Sequence, residues 1–397
     1  MFTDRISRIK PSATLEMTSK AAELKRANKP VYNLSVGEPD FSTPEHIQKA
    51  AIWAISNGHT KYTPGGGTLE LKEAICKKLS RDNQLDYKPK DVVVSCGGKH
   101  SLYNACQALF QKNDEVIIFK PYWVSFPDFV TVTGATPVFV KTNPEKQNEP
   151  DFNDLISKIN NQTKGIIINS PSNPTGGVWS DEAVIKLLDL VKNRPDIWIF
   201  SDECYEQLTY GLPFKSIATF APELNNLITF QSCSKTYAMT GWRIGYIAGN
   251  SSLVKAVSKL QGQSTSCPNS IAQYAAIEAL SGDQTCVQNM KKIFHERRDL
   301  VLSELQTIPE VTCETPNGAF YVFPNFEHYL NTRTIEGKKI QTSSDLSLYI
   351  LNETGVVTVA GDSFGAPSNI RLSYATSNVT ISKAVLLMKE ALKKLDF

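Results

Sequence analysis

A lysine held between small hydroxyl residues at the end of an apolar run is the first place in this chain where chemistry could be done. Lys235 lies in Ser232-Cys233-Ser234-Lys235-Thr236, directly after Leu227-Ile228-Thr229-Phe230. Further on, Arg243 opens a second apolar run, Ile244 to Ala248, punctuated by Gly245. An ammonium beside apolar strands is partly desolvated, its pKa falls, and the free amine can attack a carbonyl. The competing reading is a solvated lysine in a turn, which is where most lysines sit.

Other residues gain meaning in the same way. Asp202 follows the apolar run Trp198-Ile199-Phe200. A buried, unpaired carboxylate is costly, so it wants a buried cation, and a protonated pyridine nitrogen would suit it. A helix N-cap is the alternative. Tyr205, expected one helical turn on, could donate to a phenolic oxygen of the same ligand. Asn173, in Ser172-Asn173-Pro174-Thr175-Gly176-Gly177, is a turn residue by default, and its amide could reach that oxygen too. Gly98 and Lys99 follow an apolar strand and open a helix, where free N–H groups and a positive helix end would receive an anion. Ser232, Ser234 and Arg243 could add donors to the same phosphate. Most Gly-Gly pairs, however, only make turns. Trp123, in Pro121-Tyr122-Trp123, could be core or stacking platform and stays unassigned by itself.

Such residues need strands and helices to hold them. Apolar segments at 92–96, 115–119, 136–140, 165–169, 198–201, 227–231 and 244–248 alternate with helical patterns at 100–110, 122–132, 151–160 and 180–191. That rhythm predicts an α/β fold with a mostly parallel seven-stranded sheet buried on both faces. In such sheets, ligands gather beyond the carboxyl ends of the strands, where Gly98, Asn173, Asp202 and Lys235 all fall. Ahead of the sheet lie a helix at 15–27, a short strand near 33–36, and helices at 45–57 and 69–81. Ser42 or Thr43 followed by Pro44 is expected to cap the third of these elements. The triple glycine 65–67 follows no strand and carries no Walker lysine, so it reads as a tight turn rather than a phosphate cradle. After about residue 300 the pattern becomes α+β: a charged helix at 291–305, a polar insertion near 325–343, a helix at 344–353, strands at 356–359 and 370–374, and a final helix. This tail predicts a smaller α+β domain.

The chain has 397 residues, 41% hydrophobic and 21% charged, with a net charge of +2, as in an ordinary globular protein. Such a weak charge argues against nucleic acid or an anionic membrane as partner. Eight scattered cysteines without a CxxC pair read as reduced, mostly buried thiols of a cytoplasmic protein, with no metal site. The charged start leads into no apolar run, so no leader is expected. Nor is there an apolar stretch of about 18 residues to span a membrane.

Taken in order, KPSAT (10–14), VGEPDF (36–41), KYTPGGG (61–67), GGKHSLYN (97–104), PYWVSF (121–126), NSPSNPTGG (169–177), SDECYE (201–206), SCSKTYAMTGWRIGY (232–246) and IRLSYATS (370–377) resemble the fold-type I pyridoxal-phosphate aminotransferases. The branch they are most similar to is the bacterial aspartate aminotransferases that include aspartate/prephenate enzymes. The resemblance covers nearly the whole chain. It implies an N-terminal arm and part of the small domain over 1–44, a large cofactor domain over 45–290 and a small domain over 291–397, in a homodimer with sites at the subunit interface. It also implies pyridoxal 5'-phosphate as cofactor and amino-acid and 2-oxo-acid substrates. Lys235 then matches the covalent tether that also moves a proton, Asp202 the ring-nitrogen partner, and Tyr205 and Asn173 the partners of the phenolic oxygen. Trp123 matches the stacking ring. Gly98, Lys99 (through its backbone), Ser232, Ser234 and Arg243 match the phosphate site, and Tyr62 matches the tyrosine that reaches the neighbouring subunit's phosphate. Arg371 matches the bidentate clamp on the substrate α-carboxylate, a task a lysine does poorly, and Gly37 the close-approach glycine over the substrate. The distal arginine of the animal and enteric enzymes cannot be placed here. In the resembled branch Lys99, Ser12 and Thr14 take that role, and Lys10 matches a position linked to prephenate.

The expected reaction is amino transfer between L-aspartate and 2-oxoglutarate, giving oxaloacetate and L-glutamate; prephenate or aromatic amino acids are the alternative substrates. A nucleotide-binding Rossmann module is disfavoured because no G-x-G-x-x-G follows a strand. A cofactor-binding regulator is disfavoured by the missing basic helix-turn-helix segment and the near-zero net charge.

Overall fold

The apolar segments pair as strands β1 (Val92–Ser95), β2 (Glu115–Phe119), β3 (Thr136–Val140), β4 (Thr163–Asn169), β5 (Trp198–Asp202), β6 (Leu227–Ser232) and β7 (Gly245–Ala248). The structure is a computed structural model that describes residues 3–9, 13–211 and 213–397. The strands form one sheet in the order β1-β7-β6-β5-β4-β2-β3. All neighbouring pairs are parallel except those of β7, which runs antiparallel to β1 and β6.

Strict side-chain alternation divides the sheet between two cores. Val92, Val94, Ile117, Ile166, Ile199 and Tyr246 point to the face covered by the helices Leu69–Asn83, Asp181–Val191 and Ser270–Ser281. Val93, Ile118, Ile167, Phe200, Ile228 and Ile247 point to the other, against the helices Gly98–Leu109 and Ser251–Gly262. A strand buried on both faces gains apolar burial at every residue, which is why these segments read as unbroken apolar runs.

A further core joins the C-terminal part of the chain. It contains Phe294, Phe320, Tyr321, Leu372, Tyr374 and Met388, and it also takes in Leu34 and, from the turn after β5, Tyr205, Leu208 and Tyr210. Tyr321–Val322, Ile370–Ser373 and Val359–Ala360 form a three-stranded antiparallel sheet, while Tyr32–Asn33 pairs in parallel with Val356–Val357.

Several expectations need correction. Neither Ser42 nor Thr43 caps the helix Glu45–Ser56, whose N-cap is Pro44 without a side-chain bond. Thr43 Oγ1 instead donates to Ala238 O at 2.7 Å and accepts from Trp242 Nε1 at 2.9 Å, tying down the segment after Lys235. The helix expected at 122–132 is only Phe126–Thr131. Pro127 belongs in a first helical turn, and the Tyr122 N–H is already spent on Phe364 O at 3.1 Å. The strand expected at 356–359 is two strands, because its halves pair with different partners. Tyr205 lies in a turn rather than a helix. The charged helix begins earlier than expected and spans Thr285–Leu305. All eight cysteines are free, but only Cys106 and Cys233 are fully buried. As expected, the triple glycine is a turn, and it packs on β1: the Val94 N–H donates to Gly66 O at 3.0 Å, and a Cβ on Gly67 would meet Val94 at 2.7 Å.

Candidate active site

Beyond the carboxyl ends of β1, β2, β4, β5 and β6 opens a cavity of about 440 Å³. Its lining includes Gly37, Gly98, Lys99, Trp123, Asn173, Asp202, Tyr205, Ser232, Ser234, Lys235, Arg243 and Arg371, so residues scattered over more than three hundred positions meet in one space.

Lys235 sits on the short helix Cys233–Thr236 that caps β6, and its Nζ donates to Gly37 O at 2.5 Å. Burial lowers its pKa, opposed chiefly by Cys204 and Glu38. Asp202 ends β5. Its carboxyl is buried and accepts the Cys204 N–H at 3.3 Å, but makes no ion pair among the described residues. Burial pushes its pKa up to about 7, with the Cys204 N–H and the Lys235 charge opposing. Tyr205 Oη shares a hydrogen bond of 2.8 Å with Tyr321 Oη, a residue that sequence reasoning missed and that comes from the C-terminal core.

One end of the cavity is built for an anion. The helix Gly98–Leu109 starts there, with Gly97 as N-cap at φ 92°. Ser232 Oγ donates to Ser234 Oγ at 2.7 Å and accepts the Ser234 N–H at 3.0 Å. The Arg243 backbone is left-handed, φ 57°, and its Nη1 donates to Thr240 O at 2.7 Å. Two glycines make the approach possible. A Cβ on Gly97 would lie 2.4 Å from Arg243 Nη2, and one on Gly245 would lie 2.2 Å from Gly98 N. The sequence signal for Gly245 was available, since a glycine in a strand marks close approach of backbone, but what approaches it was not.

Arg371 is 2% exposed. Its Nη1 donates to Asn173 Oδ1 at 2.9 Å and its Nη2 to Ser35 O at 2.6 Å, and its guanidinium lies 4.6 Å from the Tyr321 ring centroid. Its Nε is buried without a partner, and it pairs with no carboxylate among the described residues. Burial therefore lowers its pKa. Trp123 meets Phe126 edge-on at 5.3 Å, and Lys99 Nζ lies 5.0 Å over the Trp123 ring. Burial, then Arg243, lowers the Lys99 pKa.

The structure does not bring Tyr62 into this cavity: it is 89% exposed. Lys10 and Ser12 lie outside the described residues, as does the side chain of Thr14 in the helix Ala13–Arg26.

A mostly parallel sheet with a buried lysine, an unpaired carboxylate and an anion cradle at its carboxyl edge defines a cofactor-dependent α/β enzyme. Residues 29–386 match the family described as aminotransferase class I and II. The chain belongs to that family. It is 45% identical over 385 residues to a probable aspartate/prephenate aminotransferase of Rhizobium leguminosarum bv. phaseoli, and 46% identical over 383 residues to an aspartate aminotransferase of Geobacillus stearothermophilus, with 96% of each chain covered in both cases. Among solved structures, the aspartate aminotransferase of Rhizobium meliloti superposes with a TM-score of 0.96 at 40% identity, over 100% of both chains.

Proposed function

We propose that this chain is an aspartate aminotransferase that binds pyridoxal 5'-phosphate in the cavity and exchanges amino groups between L-aspartate and 2-oxoglutarate. The observation that carries this reading is a desolvated lysine, Lys235, facing the same cavity as a buried carboxylate, Asp202, that pairs with no cation among the described residues. The residues fit the cofactor. A protonated ring nitrogen would supply the cation Asp202 lacks, the Gly98, Lys99, Ser232, Ser234 and Arg243 end suits a phosphate, and Tyr205 and Asn173 offer donors for a phenolic oxygen. Trp123 suits the ring face. The bound cofactor supplies an aldehyde and a pyridinium ring that acts as an electron sink.

The chain's own groups do the rest. Lys235 Nζ is the covalent tether and, once free, moves a proton at the substrate α-carbon; its lowered pKa keeps the amine nucleophilic. Arg371, with an unmet Nε donor, holds the α-carboxylate, and Gly37 leaves room over the substrate. Lys99 Nζ is the cation within the cavity suited to a distal carboxylate, with Lys10, Ser12 and Thr14 of the N-terminal arm completing that end. The names of the relatives support aspartate, and the Rhizobium leguminosarum relative's name supports prephenate as a second substrate through Lys10. The functional unit is a cytoplasmic homodimer in which Tyr62 reaches the neighbouring site. Each protomer comprises an arm (1–44), a large domain (45–290) and a small domain (291–397).

Half-reactions followed by absorbance test this directly. Aspartate and glutamate should convert the bound cofactor, and the Lys235→Ala variant should lose both the visible band and multiple turnover. A chain that takes up no pyridoxal phosphate, or ignores aspartate, would overturn the reading.

A further inference from the structure

Where the helix Leu69–Asn83 packs on the sheet, next to the cavity floor at Gln231, lies a buried ion pair that no role above uses. Lys78, on the helix Leu69–Asn83, is 2% exposed. Its ammonium donates to a Glu206 carboxylate oxygen, to Asn83 Oδ1 at 2.7 Å and to Gln231 Oε1 at 2.9 Å, which satisfies all three of its protons. The other Glu206 oxygen accepts from Asn83 Nδ2 at 2.6 Å and from Gln231 Nε2 at 2.9 Å. Gln231 Nε2 also reaches Glu203 at 3.2 Å. The remaining Glu203 oxygen accepts from Ser201 Oγ and Ser216 Oγ, both at 2.8 Å.

The placement of this network matters more than its strength. Asp202 and Tyr205 line the cavity, whereas Glu203 and Glu206 of the same turn are held in the network behind it. The backbone of the turn is held by the Glu203 N–H to Phe230 O at 2.9 Å, the Glu206 N–H to Glu203 O at 3.0 Å and the Leu208 N–H to Tyr205 O at 2.8 Å. The network also grips Gln231, and that strand end leads directly into Lys235. One ammonium therefore joins the carriers of all three groups. A buried ion pair is a weak source of stability compared with an apolar replacement, so geometric definition is the better account of it.

We propose that Lys78 is a positioning residue: through Glu206 and Gln231 it sets where Asp202, Tyr205 and Lys235 stand around the bound cofactor, and so the rate of proton movement at the substrate rather than substrate affinity. This rests on the reading that pyridoxal phosphate lies between Asp202 and Lys235. The test is the double variant Lys78→Met/Glu206→Gln, which removes both charges and strands neither. In the cofactor-free protein, amide exchange over 203–206 and 232–235 should accelerate ~10-fold or more, as local opening becomes easier, with Tm unchanged. In the holoenzyme the absorption band should shift, and the aspartate half-reaction should slow ~10- to 100-fold, the scale of small misplacements at a reacting centre. KM should stay within about threefold, the pattern of an interaction that acts on turnover alone. Should the double variant not fold, Asn83→Ala weakens the same grip without touching a charge, and should move all three readouts the same way by less. Unaltered exchange and rate, or a raised KM with kcat intact, would overturn the proposal. A wild-type chain that binds no pyridoxal phosphate would instead overturn the parent reading, while exchange in the cofactor-free chain still decides whether Lys78 holds the turn.

Discussion

Asp202 and Lys235 are each disfavoured as ions for the same reason, burial, and each is what a pyridinium-bearing aldehyde would need. The Asp202 carboxyl titrates near 3.8 in the unfolded chain and near 7 in the fold. Between those values the folded state binds more protons than the unfolded one, so this group makes stability fall as pH rises, and the penalty is complete above about pH 7. Asp202→Asn removes that penalty. Relative to wild type, the cofactor-free variant should therefore gain stability steadily from pH 4 to 7 and level off above, as read by urea unfolding across that range. A difference that is flat with pH would show that Asp202 is not desolvated. At Arg371, a lysine keeps the charge but not the planar fork that serves Asn173, Ser35 and an incoming carboxylate together. Arg371→Lys should lower kcat/KM for aspartate ~10- to 100-fold, roughly the 1.5–3 kcal/mol of a charged hydrogen bond, mostly through KM. Steady-state kinetics with unchanged kcat/KM would rule the clamp out.

Among the elements, the tightest tolerance lies where β7 passes the start of the helix Gly98–Leu109. A Cβ on Gly245 would press on Gly98 N at 2.2 Å, backbone against backbone, with no flexible side chain to yield. Gly245→Ala must push the helix start away from Ser232 and Arg243. The expected result is a cofactor dissociation constant raised ~10-fold or more, in line with about 1–3 kcal/mol for overpacking, at a fold preserved by circular dichroism. Unchanged affinity in a fluorescence titration would mean that the helix start does not hold the phosphate. The Thr43 side chain makes a related point. By sequence it is a candidate helix cap; in the fold its hydroxyl fastens the segment after Lys235 through Ala238 O and Trp242 Nε1.

For the molecule as a whole, the exposed surface is informative. Tyr62 stands 89% exposed, and Ile52, Trp53 and Ile55 of the helix Glu45–Ser56 are each more than half exposed. In the proposed homodimer, large exposed apolar groups of this kind would lie on the surface covered by the partner. Sedimentation should give a dimer, and Tyr62→Phe should weaken cofactor binding by about 1.5 kcal/mol or more, the worth of one hydrogen bond to a charged group. A fully active monomer would contradict both. Arg297 on the helix Thr285–Leu305 pairs bidentately with Asp40, at 2.7 and 2.9 Å, and so ties the loop bearing Gly37 to the C-terminal part of the chain.

Much of this was legible in the residues alone. Strand runs are read reliably when both faces are buried, because burial leaves no polar alternation to confuse them, and ordered strings such as SDECYE and SCSKTYAMTGWRIGY point to specific chemistry. What the linear chain does not carry is distance. Nothing local to Asn173 and Arg371 says that they touch, that Tyr321 meets Tyr205, or that Lys78 supports the turn behind Asp202, since those contacts join segments from 116 to 198 residues apart or bridge through Glu206. Boundaries differ for the same reason: the Tyr122 N–H, the two halves of 356–360 and the Thr43 hydroxyl each find a partner outside their own segment. Local sequence determines which groups are apolar, charged or cap-forming. Tertiary packing decides which unmet hydrogen bonds and charges come to face one another, because only the closed fold removes the water that would otherwise satisfy them.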